Sequence, residues 1–120
     1  MKPNTARLRL WANALLSGKY YQGKGQLKTK SGAYCCLGVA CEVSGKWFDG
    51  EWGLEPAEVT MWYGAWASSN GYGRLSDLPR ALAARDAQEL TDLNDQEDWT
   101  FPEIAGLIYD YCEAVDTGAL

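Results

Sequence analysis

Thr100-Phe101-Pro102-Glu103-Ile104-Ala105-Gly106-Leu107-Ile108-Tyr109-Asp110-Tyr111-Cys112-Glu113-Ala114-Val115 reads as a helix at several levels at once. Thr100 and Glu103 have the spacing of a capping box, and Trp99 and Ile104 occupy the flanking hydrophobic-staple positions. Ile104, Leu107, Ile108, Tyr111 and Val115 then form one apolar stripe, and Gly118 lets the helix stop.

A second apolar stripe lies at the other end of the chain. Leu8, Trp11, Ala12 and Leu15 share one face of a helix expected from about Thr5 to Leu16. Asn4 or Thr5 caps its start, and Gly18 suits the left-handed position beyond its end. A shorter helix is expected from about Cys36 to Val43, with Cys36, Val39, Ala40 and Val43 on one face. Its single charge, Glu42, marks it as central to the core.

Between these helices lies Tyr20-Tyr21-Gln22-Gly23-Lys24-Gly25-Gln26-Leu27-Lys28-Thr29, with no helical period. It reads as a loop running into a short strand. Lys30-Ser31-Gly32 has the composition of a hairpin turn, with Ala33-Tyr34-Cys35 returning. Trp47-Phe48-Asp49-Gly50-Glu51-Trp52 is a second hairpin signal, since Asp-Gly suits a type I′ turn.

Glu55-Pro56 opens a further helix with Val59, Trp62, Tyr63 and Trp66 on its apolar stripe. Residues 68–73 read as a loop, and a short helix begins near Pro79. Asp86 to Asp95 reads as a capped helix. The expectation is a single small α+β domain spanning 1–120, with four to five helices and one or two short antiparallel hairpins.

With 120 residues and 47% apolar composition, the chain is large enough for one core without staples. No apolar run approaches the ~20 residues that span a bilayer, and the N-terminus lacks the apolar core of a signal peptide. A cytosolic protein is expected. Cys35, Cys36, Cys41 and Cys112 then read as buried thiols, a disulfide being the alternative in an exported protein.

The net charge of −5 conceals a division. Residues 1–46 hold eight Lys/Arg and one acid, a balance of +7. Residues 47–120 hold three Arg and fifteen acids, a balance of −12. Either the two halves attract each other across the fold, or a basic face meets an anionic ligand while an acidic one serves solubility or a partner.

The stretch Trp11 to Leu27, followed by Tyr34-Cys35-Cys36-Leu37-Gly38-Val39-Ala40-Cys41-Glu42, resembles a group of small proteins encoded by tailed bacteriophages and prophages. A helix with Trp and a Ser-Gly exit, a Gln-Gly segment and a Cys-Cys-Leu-Gly-Val helix carry the resemblance. Leu93-Asn94-Asp95, Phe101 and Ile104-Ala105 resemble later elements of that pattern. The resemblance implies a phage gene product acting in the host bacterial cytoplasm. It brings no catalytic mechanism, and the middle, residues 46–86, departs most from the pattern.

The chemistry available is narrow, because the chain has no histidine. A thiol at a helix start, Cys35 or Cys36, is activated by its position but lacks its usual base. The cysteines lack the paired spacing of a zinc site. Asp92, Asp95, Glu97 and Asp98 suit a solvated face as well as a cation or acid–base site. Gly23-Lys24-Gly25 lacks the spacing of a phosphate loop. No nucleophile–base pair is visible, so binding is favoured over catalysis, and no cofactor or metal is expected.

The best binding candidate is Tyr20, Tyr21, Gln22, Lys24, Lys28, Thr29, Lys30 and Tyr34, with Arg74 closing from the glycine-rich loop. Rings stack on bases, lysines neutralise phosphates, and Gly23 and Gly25 admit a ligand close to the backbone. A solvated lysine-rich hairpin anchored by its tyrosines is the plainer alternative. Trp47, Trp52 and Tyr72, in turns or loops, are further surface aromatics.

Three partners follow: a small anionic, nucleotide-type signal of host defence that the protein sequesters; a host defence protein met by the acidic half; or nucleic acid on the basic half. The overall acidity opposes the last. A homodimer is compatible with each.

Overall fold

The computed structural model describes residues 4–45, 62–63 and 93–118. Three helices organise them: α1 (Thr5–Leu16), α2 (Cys36–Ser44) and α3 (Phe101–Asp116). α1 is the common element, packing against both α2 and α3.

Each helix starts and stops where its side chains dictate. Asn4 Oδ1 accepts a hydrogen bond from the Arg7 N–H at 3.0 Å. The Cys35 thiol does the same at the start of α2, accepting from the Gly38 N–H at 3.4 Å. The Thr100–Glu103 capping box is complete in both directions. Gly18 and Gly45 take positive φ just beyond α1 and α2.

α1 and α3 lie antiparallel. Arg9 and Thr5, in the first turns of α1, both bind Asp116 at the last turn of α3, at 2.6 and 2.9 Å. Between them Leu8, Trp11, Ala12 and Leu15 face Phe101, Ile104, Ala105, Ile108, Tyr111 and Cys112 across one buried cluster. Leu107 and Val115, expected on the α3 stripe, are only partly buried at the edge of that cluster.

α2 is buried from Cys36 through Cys41 without a break. The Trp11 indole N–H donates to the Cys36 carbonyl at 2.9 Å, joining α1 to α2 inside the core. Tyr63 reaches the other end of the helix, its hydroxyl donating to the Ala40 carbonyl at 2.9 Å. Its neighbour Trp62 lies under the Arg7 guanidinium.

The expected α+β architecture is corrected by this arrangement. The described residues are mostly helical and contain no sheet. In place of the first hairpin stand two isolated bridges, both made by Tyr34: a parallel one to Gln22 and an antiparallel one to Lys28. The chain does turn at Thr29–Gly32, where the Gly32 N–H donates to the Thr29 carbonyl at 3.0 Å. A ladder cannot grow from it, because the returning arm enters α2 at Cys36.

The second expected hairpin, Trp47–Trp52, lies outside the described residues. So do the helix beginning at Glu55-Pro56, apart from Trp62 and Tyr63, the loop at 68–73 and the helix near Pro79. Of the helix expected from Asp86 to Asp95, only residues 93–95 are described, and they are helical.

Helix α2 sits on the backbone of Leu27. A Cβ on Gly38 would fall on the Leu27 carbonyl oxygen and 2.6 Å from its carbonyl carbon. Backbone cannot yield as a side-chain tip does. Gly38→Ala is therefore expected to cost about 3 kcal/mol or more in urea unfolding. Gly106, on the exposed side of α3 with nothing near its missing Cβ, is the control. Gly106→Ala should stabilise by ~0.5–1 kcal/mol.

The Arg9 hydrogen bond, and then that of Thr5, hold the Asp116 carboxyl below its ordinary value of 3.8. The stability this contributes is present above that value and lost as pH falls through the depressed folded one. Asp116→Asn should therefore have a lower urea midpoint than the parent near neutral pH. The gap should close in acid.

Candidate functional site

The loop from Lys19 to Tyr34 contains the residues that chemistry singles out, and the structure divides them into two groups. One group is consumed in holding the loop to the body. The other carries the exposed Tyr21, Lys28 and Lys30 beside two half-buried tyrosines.

Gln22 belongs to the first. Its Nε2 donates to Asn94 Oδ1 at 2.8 Å and to the Trp99 carbonyl at 2.7 Å, while its Oε1 accepts from the Phe101 N–H at 3.2 Å. Asn94, wholly buried, donates to the Gly23 carbonyl at 2.8 Å and to Asp95 Oδ1 at 2.7 Å. Each amide thus uses both its oxygen and its nitrogen; the buried Asn94 requires this, while Gln22 does so at the surface. The result is a clamp between residues 22–23 and 94–101. Beside it Lys24 pairs with Asp98, which holds a left-handed backbone at φ 57°.

Thr29 is also internal. Its hydroxyl accepts from the Ala33 N–H at 3.0 Å and shares a hydrogen bond with Ser31, closing the turn. Gly23 is needed because a Cβ there would stand 2.8 Å from that of Ala33.

This second group is aromatic and basic. Tyr34 is fixed by its backbone, its N–H donating to the Tyr21 carbonyl at 2.8 Å and its carbonyl accepting from Gly23 at 2.6 Å. Its ring meets that of Tyr20 edge to face at 5.2 Å, and the Lys28 ammonium stands 5.3 Å from its centroid. Burial, then Glu42 and Tyr34 nearby, hold the Tyr20 phenol above its ordinary value. Tyr21 leaves 82% of its surface exposed. Lys28 and Lys30 are exposed and form no ion pair with any carboxylate among the described residues. Arg74 lies outside the described residues.

The other candidates find structural places. All four cysteines are buried free thiols. Cys35 caps α2, and burial pushes Cys112 up to about 11, far from a thiolate at neutral pH. Of the acidic run, Asp95 serves the clamp, Asp98 pairs with Lys24 and Glu97 is exposed, while Asp92 lies outside the described residues. Among the described residues no three His, Cys, Asp or Glu side chains gather as a metal site. No helix there is long and apolar enough to cross a membrane.

Asn94 is the residue that site reasoning from the sequence passed over. The signal was present in the Leu-Asn-Asp and Gln-Gly motifs, which the fold joins by direct hydrogen bonds.

These features define a small, mainly helical protein with an aromatic, basic loop clamped to its core. The chain belongs to the family described as "Domain of unknown function (DUF8296)", whose model matches residues 2–112. No curated protein and no solved structure matches the chain.

Asn94→Ala would remove the donor to the Gly23 carbonyl and one of the three partners of the Gln22 amide. It should cost ~1–3 kcal/mol in urea unfolding. Combined with Gln22→Ala, the losses should be non-additive by about 0.5 kcal/mol or more, because both act on one network.

Proposed function

We propose that this chain is a non-catalytic binding protein that takes a small, anionic, base-bearing ligand on the face formed by Tyr20, Tyr21, Lys28, Lys30 and Tyr34. The observation that carries the reading is the exposure of Tyr21 on a loop that also presents two lysines without carboxylate partners among the described residues. The backbone pairs Tyr34 with Tyr21 and Gln22 on one side and with Lys28 on the other, and the Lys28 ammonium lies over the Tyr34 ring. Rings stack on bases and ammonium groups hold phosphates. Lys24, neutralised by Asp98, and Gln22 and Thr29, engaged in the loop's own bonds, support this face and do not bind the ligand.

The resemblance to tailed-phage proteins supplies the setting: sequestration, in the host cytoplasm, of a nucleotide signal of bacterial defence. The absence of histidine and the buried thiols favour sequestration over turnover.

Titration with a fluorescent mant-labelled ADP tests the site. Tyr21→Ala should lose ~1–3 kcal/mol of affinity if its ring stacks on the base. The Lys28→Glu/Lys30→Glu variant should bind at least about tenfold more weakly. Unchanged affinity in the charge-reversed protein would remove this face from consideration.

A second reading draws on α3, whose exposed side carries Glu103, Asp110 and Glu113. This acidic stripe suits a basic host protein, and such a complex should weaken steeply with salt.

A further inference from the structure

We infer that Gln22 is a positioning residue, and that the clamp it forms with Asn94 holds Tyr21 out to solvent in one orientation. This deepens the binding reading above and rests on it for the identity of the ligand, though not for the mechanics.

An aromatic ring in water tends to fold back onto the nearest apolar surface, because burying it is favourable. Tyr21 does not, although Tyr20 and Tyr34, on the same loop, are partly buried against the core. The reason lies in its neighbour. Along extended backbone, successive side chains point to opposite sides. The side chain of Gln22, exposed at the surface, is tied to the body by three hydrogen bonds, to Asn94, Trp99 and Phe101. The next residue is tied too, the Gly23 N–H to Tyr34 and its carbonyl to Asn94. The Tyr21 carbonyl accepts from the Tyr34 N–H. With the backbone held at the Tyr21 carbonyl and again at Gly23, and the exposed Gln22 side chain bonded to residues 94–101 on the side opposite Tyr21, the Tyr21 ring is left to the solvent.

The consequence is preorganisation. A ring already held in its binding position gives up little freedom when a ligand stacks on it. A ring that occupies that position one tenth of the time binds about tenfold more weakly. Gln22 therefore governs affinity without touching the ligand, and it does so through bonds that a merely charged or bulky substitute cannot make.

Two variants test this. Gln22→Ala removes the clamp. Gln22→Glu keeps the size and the acceptor for Phe101 but removes both donated bonds. Circular dichroism checks that the helices persist, the second variant serving if the first fails to fold. The ligand-free readout is the amide order parameter of Tyr21 by NMR relaxation. It should fall from a rigid value of ~0.85 to below ~0.6 in both variants. Their affinity for mant-ADP should fall about tenfold with Tyr21 and both lysines intact.

A Tyr21 amide as rigid as in the parent, or an affinity within twofold of it, would overturn the positioning role. Loss of order in a protein whose parent does not bind mant-ADP would uphold the clamp's mechanics and refute the nucleotide reading instead.

Discussion

The carbonyl of Leu27 rests directly against the Cα of Gly38, inside a helix buried from Cys36 to Cys41. No side chain fits between them. This contact sets how near the loop comes to α2, and much else is arranged around it. The same carbonyl accepts the Cys35 N–H, so the chain enters α2 already docked. The Cys35 thiol then caps the helix at Gly38, and the Cys36 carbonyl accepts the Trp11 indole. One glycine thereby brings the loop, α1 and α2 into a single packed unit. The Cys-Cys-Leu-Gly run is an architectural device and not a chemical one: a cap, a wall, a wall and a gap.

The clamp performs the corresponding task on the other side of the loop. Hydrophobic burial places α3 against α1, but it is indifferent to the loop's orientation, because apolar contact has no direction. Hydrogen bonds from two amides do have direction. Gln22 and Asn94 give the loop one register against residues 94–101, in a partly dehydrated place where an unpaired amide is costly. The proposed binding face thus rests on the clamp, through bonds made beside it.

Charge follows the same division of labour. Lys24 is spent on Asp98 and Arg9 on Asp116, so part of the basic half does meet the acidic half within the fold. Lys28 and Lys30 find no such partner among the described residues, and it is there that the tyrosines gather. The first explanation of the charge division therefore holds at Arg9 and Lys24, and the second is the proposal made for Lys28 and Lys30.

The helices were legible in the sequence because their causes are local. An apolar stripe, a Thr-x-x-Glu box and a glycine exit are read within a few residues, and α1, α2 and α3 occur where these signals stand. The antiparallel hairpin was misread for an equally local reason: turn composition announces a reversal but not whether the returning arm has length enough to pair. Only the start of α2 at Cys36, docked on Leu27, decides that it has not. The candidate site was half legible. Tyrosine, lysine and glycine in one segment marked the candidate loop, yet that Gln22 and Lys24 are engaged depends on partners more than seventy residues away. Gln22 reads as a ligand contact until Asn94, Trp99 and Phe101 are brought to it. Composition determined which groups this protein has available, while tertiary contact alone determined which of them remain free, because a hydrogen bond once made in the core is no longer offered to a ligand.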